Sequence, residues 1–202
     1  MSYTNEGNTR VVIKSLREEL EAAKKQIESL LEKIRELEKL SITDELTGLY
    51  NWRHFRERLE QEVARNKRQK HPLCLIFFDV DSLKTHNDLY GHSGGDNVLK
   101  AVAQCVSRNI RKDVDSGYRY GGDEFAIILP ETRAEQAVEV ARRINRALSK
   151  MGFQNVTISI GVAELGAEMD SKTLFEHADN AMYMAKEDKA NKIRLYNDDR
   201  SG

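Results

Sequence analysis

The 202-residue chain holds only two cysteines, two prolines and one tryptophan. Cys74 and Cys105 each sit inside an apolar run, so they read as buried thiols of a reducing compartment and exclude a disulfide framework. No cluster of histidine and cysteine with zinc-ligand spacing is present. No apolar run is long enough to cross a bilayer, and no signal-peptide pattern is found, so a cytoplasmic location with no membrane contact through this chain is expected. The formal net charge is −1, which gives no global basic field and excludes nucleic acid as a partner advertised by charge. What remains is 32% charged and 40% hydrophobic residues, enough for one domain with a real core plus an appendage.

The appendage comes first. Residues 1–9 are polar and expected to be a disordered tail. Over residues 10–42 the apolar positions Ile13, Leu16, Leu20, Ala23, Ile27, Leu30, Ile34 and Leu37 alternate in steps of three and four, a heptad seam. Isoleucine fills three a positions and leucine three d positions, a choice that favours parallel two-stranded coils. Glu19 with Lys24, and Lys33 with Glu38, have the spacing for attraction between parallel helices. A homodimer through this helix is expected, against the alternative of an amphipathic helix lying on its own domain.

The seam ends at Ser41-Ile42-Thr43-Asp44, in helix-capping residues, and a domain over 43–198 follows. Asp44 to Leu49 reads as a compact turn. From Asn51 to about Lys67 the residues Trp52, Phe55, Leu59 and Val63 line one helix face. Pro72 to Phe78 is a continuous apolar run, as in a strand buried on both faces, and it stops at Asp79-Val80-Asp81. Further helices are expected around Leu99–Ile110, Ala137–Leu148 and Leu174–Ala185, with strands around Val156–Val162 and Ile193–Tyr196. Interleaved strands and helices with one antiparallel hairpin give an α/β fold, a mixed central sheet covered by helices.

The hairpin is the organising stretch. Tyr118-Arg119-Tyr120 and Phe125 to Leu129 flank Gly121-Gly122-Asp123-Glu124. Paired glycines between strand-like runs suggest a tight turn with positive φ. Two adjacent acids beside it are costly unless a cation or a proton shares their charge; an ordinary polar hairpin tip is the bland alternative. Alternation puts Asp79 and Asp81 on one side of their strand, at its carboxyl end, where α/β folds often bind ligands. If that strand neighbours the hairpin, Asp79, Asp123 and Glu124 converge. An all-oxygen cluster suits Mg2+ or Mn2+ holding substrate phosphates. Lys84 and Lys186 offer phosphate contacts, and Asn87 with Asp96 offers the groups needed to read a purine edge. The residues alone therefore point to metal-dependent phosphoryl or nucleotidyl transfer.

These motifs, in this order, resemble the GGDEF family of diguanylate cyclases, which make cyclic di-GMP from two GTP in bacterial second-messenger signalling. The resemblance covers roughly Ser41 to Tyr196. It rests on Asp44-Glu45-Leu46-Thr47-Gly48-Leu49-Tyr50-Asn51, Phe78-Asp79-Val80-Asp81, Asn87-Asp88, Gly91-His92, Gly95-Asp96, Arg119 to Phe125, Ser159 to Ala163 and Ala178 to Lys186. It implies a nucleotidyl-cyclase-like fold. It implies Asp79, the Val80 carbonyl, Asp123 and Glu124 as holders of Mg2+ or Mn2+, two ions per half-site. Asp123 or Glu124 would take the proton from a GTP 3′-hydroxyl, Asn87 and Asp96 would read guanine, His92 would lie close to the nucleotide, and Lys84 and Lys186 would contact phosphates. Two GTP molecules, one per subunit, would react face to face, which gives the N-terminal coil a purpose. Control by an upstream sensory domain or a partner is compatible with this arrangement.

Three departures stand out. The family's product-inhibition motif Arg-x-x-Asp reads Lys112-Asp113-Val114-Asp115 here, with Arg111 one place out of frame, so this site is expected to be degenerate. The usual Gly-Arg-Asn after Lys186 reads Lys189-Ala190-Asn191, leaving Lys189 or Lys192 as substitutes for a phosphate-binding arginine. His86 stands where the family prefers an aliphatic residue, and a packing role is expected for it. The alternatives to an active cyclase are an inactive domain that senses GTP or cyclic di-GMP, and a cyclase of relaxed purine choice.

Overall fold

The computed structural model describes residues 4–188, 190 and 192–197. Helix α1 (Thr4–Ile42) opens the chain, which divides into one unit up to Ser41 and a second from Ile42 onward. Residues 4–9, expected as part of a polar tail, continue α1: propagation from a formed helix adds a bond per residue without a new nucleation cost. Residues 1–3 lie outside the described residues. Along α1 the seam side chains Ile13, Leu16, Leu20, Ile27, Leu30, Ile34 and Leu37 are 45% to 65% exposed. Among the described residues no helix is long and apolar enough to cross a membrane.

The second unit is a six-stranded mixed sheet with helices on both faces. In chain order its elements are β1 (Tyr50–Asn51), α2 (Trp52–Gln69), β2 (Leu73–Asp81), α3 (Leu83–Asn109), β3 (Ser116–Gly121), β4 (Glu124–Pro130), α4 (Ala134–Ser149), β5 (Thr157–Glu164), α5 (Ser171–Glu187) and β6 (Ile193–Leu195). The strand order is β1-β3-β4-β2-β5-β6. The outer pairs β1–β3 and β5–β6 are parallel, and the inner pairs are antiparallel.

Alternation along β2 explains the two-layered core. Cys74, Ile76, Phe78 and Val80 pack with Val98, Val102 and Val106 of α3 and Ala137, Ala141 and Ile144 of α4. Leu73, Leu75 and Phe77 pack on the opposite face with Phe55, Leu59 and Val63 of α2 and Leu174, Ala178 and Met182 of α5. The apolar run is thus buried on both sides, as its composition implies. Asp79 continues the odd-numbered series, which places it on the α5 face. Both cysteines are free and buried.

Three local features set the helices. Asn51 caps α2, its Oδ1 accepting from the backbone N–H groups of Arg53 and His54 at 3.1 and 3.2 Å. Trp52, expected on the buried face, is 44% exposed with the Arg53 and Arg56 guanidinia over its ring. Glu62 is buried instead, and Arg58 Nη2 pairs with it at 2.7 Å. On β5, a Cβ at Gly161 would overlap Ala178 O and Met182 N, so only glycine lets α5 lie this close to the sheet.

Candidate functional site

The site lies where β2 ends and the β3–β4 hairpin turns. Asp79 faces Glu124 on β4 and Ser159 on β5 as direct cross-strand partners, so the three side chains share one face. The backbone N–H of Val80 donates to Asp123 O at 3.0 Å, tying the turn to the end of β2. The turn differs from the expected Gly-Gly pair. Gly121 is the last residue of β3, the loop residues are Gly122 and Asp123, and neither glycine has a positive φ. A register shift between Arg119 and Gly121 supplies the bend that left-handed glycines were expected to supply. A Cβ on Gly121 would stand 3.1 Å from Glu124 Oε2, while the space above Gly122 is open.

Two residues outside the acids brace this turn. Arg119 donates from Nη2 to Gly122 O at 2.7 Å and from Nη1 to Asp44 Oδ2 at 3.1 Å. Asp44 in turn accepts from Thr47 N at 2.9 Å and Thr47 Oγ1 at 2.6 Å. Burial pushes the Asp44 carboxyl up, but the Thr47 hydrogen bonds and Arg119 outweigh it and hold it below its ordinary value. The compact turn after α1 thus anchors the signature hairpin, a role that sequence reasoning missed.

Opposite the acids stands α5. Lys186 Nζ lies 2.9 Å from Asp79 Oδ2. Burial pushes the Asp79 carboxyl above its ordinary value and the Asp123 and Asp81 charges add to this, against the opposing hydrogen bond from Lys186. Glu124 is also raised, first by burial and then by the charges of Asp79, Asp123 and Asp179. Asp179 is seven residues before Lys186, on the same helix face, and its own carboxyl is raised by burial. It too was missed as a contributor; its only sequence signal was its place in the closing motif. Asp81, by contrast, is saturated: it accepts from Thr157 Oγ1 at 2.7 Å and Ser159 Oγ at 2.8 Å, with Lys192 Nζ at 3.5 Å.

Among the described residues no set of three or more His, Cys, Asp or Glu side chains is assembled as a metal-holding group. The donor chemistry nevertheless fits a hard cation. Mg2+ is normally held by one or two carboxylates together with substrate phosphates rather than by an all-protein cage. Asp79 is buried, its carboxyl raised first by that burial and further by like charges, against one lysine ammonium.

The other predicted residues gather along α3. Gly91, with φ 75° and ψ 170°, kinks that helix. The kink folds Asn87 back over Gly95, whose missing side chain makes room for the Asn87 amide. Asp96 follows directly and is exposed, as are His92 and Lys84. Lys84 forms no ion pair with the carboxylates among the described residues. His86 is buried, its ring 4.6 Å from Tyr90 and 6.0 Å from Phe153, in the packing role expected of it.

The Lys112–Asp115 stretch is held by its neighbour Arg111. Arg111 Nη2 donates to Asp115 Oδ1 at 2.6 Å, Pro130 O at 2.6 Å and Thr132 Oγ1 at 2.9 Å. Lys112 is exposed. Lys192 is engaged with Asp81 and Ser159 Oγ, so it does not stand free as a replacement arginine. Lys189 and Asn191 lie outside the described residues; Ala190 is exposed.

A family model described as "Diguanylate cyclase, GGDEF domain" matches residues 41–192. The chain belongs to the GGDEF family. This GGDEF domain is 38% identical over 156 residues to the response regulator PleD of Caulobacter vibrioides, covering 73% of the chain and 34% of PleD. It is 38% identical over 152 residues to the diguanylate cyclase DgcP of Pseudomonas aeruginosa, covering 72% of the chain and 22% of DgcP. The chain therefore spans about a third or less of these relatives. The solved coiled coil and GGDEF domain of DgcB from Caulobacter crescentus, in complex with c-di-GMP, superposes with a TM-score of 0.79 at 28% identity, over 90% of this chain and 99% of that one. The diguanylate cyclase SiaD of Pseudomonas aeruginosa, solved with its activator SiaC, gives a TM-score of 0.74 at 30% identity, over 95% and 76%. The mixed sheet flanked by helices is thus the GGDEF fold.

Proposed function

We propose that this GGDEF domain is a diguanylate cyclase, condensing two GTP into cyclic di-GMP with release of two pyrophosphates. The observation that carries the reading is the pairing of Asp79 with Glu124 across the sheet end, with Asp123 in the adjoining turn and Lys186 opposite. Asp79, the Val80 carbonyl, Asp123 and Glu124 are the groups that would hold Mg2+ or Mn2+, two ions per half-site. Such cations, when bound, supply positive charge that polarises phosphate oxygens and acidifies a hydroxyl.

The chain's own residues account for the rest. Asp96 accepts from guanine N1–H and N2–H, and Asn87 reads the same base, with His92 near the nucleotide. Lys84 and Lys186 contact the phosphates as point charges. The 3′-oxygen of one GTP forms its bond to the α-phosphorus of the other, the α–β bridging bond breaks, and pyrophosphate leaves. The 3′-hydroxyl proton passes to Asp123 or Glu124. Glu124 is suited to it, because burial and neighbouring carboxylates raise its basicity above the ordinary carboxylate value.

One domain provides half of this reaction. The exposed heptad seam of α1 fits a parallel homodimer that keeps a second half-site at high local concentration. An inactive sensor of cyclic di-GMP is disfavoured by Arg111, which is tied to Asp115 rather than free for a ligand. The test is incubation of the purified chain with GTP and Mg2+, with products identified by chromatography and mass. Cyclic di-GMP, with two pyrophosphates per product, is expected. A well-folded dimer that leaves GTP unchanged overturns the reading.

A further inference from the structure

Asn87 Oδ1 is buried and has no hydrogen-bond partner. A buried carbonyl without a partner is costly and calls for an explanation. The atom faces Gly95: a Cβ there would overlap Oδ1 and stand 2.8 Å from Cγ and 3.1 Å from Nδ2. All three nearest atoms to that absent Cβ belong to the one amide. Gly95 is buried, lies within α3 beyond the Gly91 kink, and has no positive φ. Its backbone therefore needs no glycine, and alanine would favour the helix. The closest claim on the space of the absent methyl is that of the Asn87 side chain.

We infer that Gly95 is a positioning residue for base selection, holding the Asn87 amide with Oδ1 turned inward and Nδ2 toward the nucleotide. The inference rests on the reading of Asn87 and Asp96 as the guanine-recognising pair. A donor from Asn87 beside an acceptor from Asp96 matches the Watson–Crick edge of guanine, which offers O6 as acceptor and N1–H and N2–H as donors. Adenine presents the reverse, an N6–H donor and an N1 acceptor, leaving both protein groups mismatched. Inward burial of Oδ1 removes the acceptor with which the same amide would serve adenine. The peptide that carries Gly95 also carries Asp96, so the two halves of the reader are set against each other across one residue.

The test uses the full chain with Mg2+ and 3′-deoxy-GTP or 3′-deoxy-ATP, which bind but lack the attacking hydroxyl. Affinities are measured for the parent protein, Gly95→Ala, Asn87→Ala and the double variant, with thermal unfolding alongside. Gly95→Ala is expected to weaken 3′-deoxy-GTP about tenfold, the loss of roughly one good hydrogen bond. It should leave 3′-deoxy-ATP nearly unchanged, so that purine discrimination collapses. In the Asn87→Ala background the same change should cost nothing further, since the clash is gone. If Gly95→Ala fails to fold, the double variant should fold and bind as Asn87→Ala does. Parent-like guanine affinity in Gly95→Ala overturns the inference while leaving the base reader intact. Effects that multiply in the double variant, or a double variant that also fails to fold, overturn it equally. If Asn87→Ala itself binds 3′-deoxy-GTP as the parent does, the reading of Asn87 falls and the inference falls with it.

Discussion

Lys186 Nζ stands 2.9 Å from Asp79 Oδ2, joining the last turn of α5 to the carboxyl end of β2. Burial opposes the lysine charge, yet the Asp79 hydrogen bond and the Asp79, Asp123 and Asp81 charges hold its pKa above the ordinary value. In this state the lysine occupies a carboxylate oxygen that a cation would otherwise take. Lys186→Met is therefore expected to tighten Mn2+ binding to the nucleotide-free protein severalfold at mildly alkaline pH. The same change should raise the KM for GTP about tenfold, ~1.4 kcal/mol of lost phosphate contact. Titration of Mn2+ into the nucleotide-free variant checks the first part; weaker cation binding would count against this placement of the lysine.

Asp79 gives a prediction with opposite signs for stability and activity. Its folded-state carboxyl is raised, chiefly by burial. A raised carboxyl favours the folded state below the ordinary carboxylate range, and this advantage is lost as pH rises through the folded value. At neutral pH the ionised group is a cost. Asp79→Asn should then leave the melting temperature unchanged or raise it by about 2–4 °C at pH 7.5, with the gain shrinking toward pH 4. Turnover should vanish at every pH. For the parent protein, activity should fall with acid at a pH above the usual carboxylate range, because Asp79 and Glu124 are both raised. Paired melting and activity profiles across pH decide it, and a large drop in melting temperature would contradict the sign.

That Asp79 and Asp81 share one side of β2 was legible in the sequence, because strand alternation is local and β2 is regular. The two-sided burial of that strand was legible for the same reason. The hairpin turn was placed correctly but its geometry was not. A register shift at Tyr120 moves the loop by one residue, and no propensity marks such a shift. The Arg119–Asp44 brace joins residues 75 positions apart, and the Lys186–Asp79 pair joins the end of α5 to the end of β2, far apart in the sequence. Such pairings follow from sheet order, which single-sequence patterns leave open. Residues 4–9 continue α1 despite their polar composition, because a helix already formed propagates without a new nucleation cost.

Arg111 is committed to structure. Its pKa is raised first by the hydrogen bond to Asp115, whose side chain is only 2% exposed. Removing the guanidinium leaves that carboxylate buried and takes one of two donors from Pro130 O, which keeps the Thr132 hydroxyl. The arginine itself is half exposed, so solvent screening moderates the loss. Arg111→Ala should cost about 2 kcal/mol, lowering the melting temperature by about 4–8 °C. With Arg111 committed and Lys112 lacking a planar fork, added cyclic di-GMP should leave the initial rate of the parent protein unchanged. A rate series against added product measures this; inhibition that Arg111→Ala abolishes would show the arginine free to leave Asp115.

The α1 seam carries the last prediction. Leu20 and Leu30 are 55% and 51% exposed, at an a and a d position. In a parallel dimer each would be buried as a knob between four facing residues, worth about 1.5–3 kcal/mol per side chain. Lysine at both positions replaces that burial with charge repulsion at the seam. Leu20→Lys with Leu30→Lys should give a monomer by sedimentation at micromolar concentration, with the sheet domain melting as before, since its core lies wholly beyond Ile42. Because two half-sites must meet, turnover per chain should become strongly concentration-dependent and fall about a hundredfold or more at equal dilution. A monomeric variant that keeps the parent rate at every dilution would mean that α1 does not hold the half-sites together.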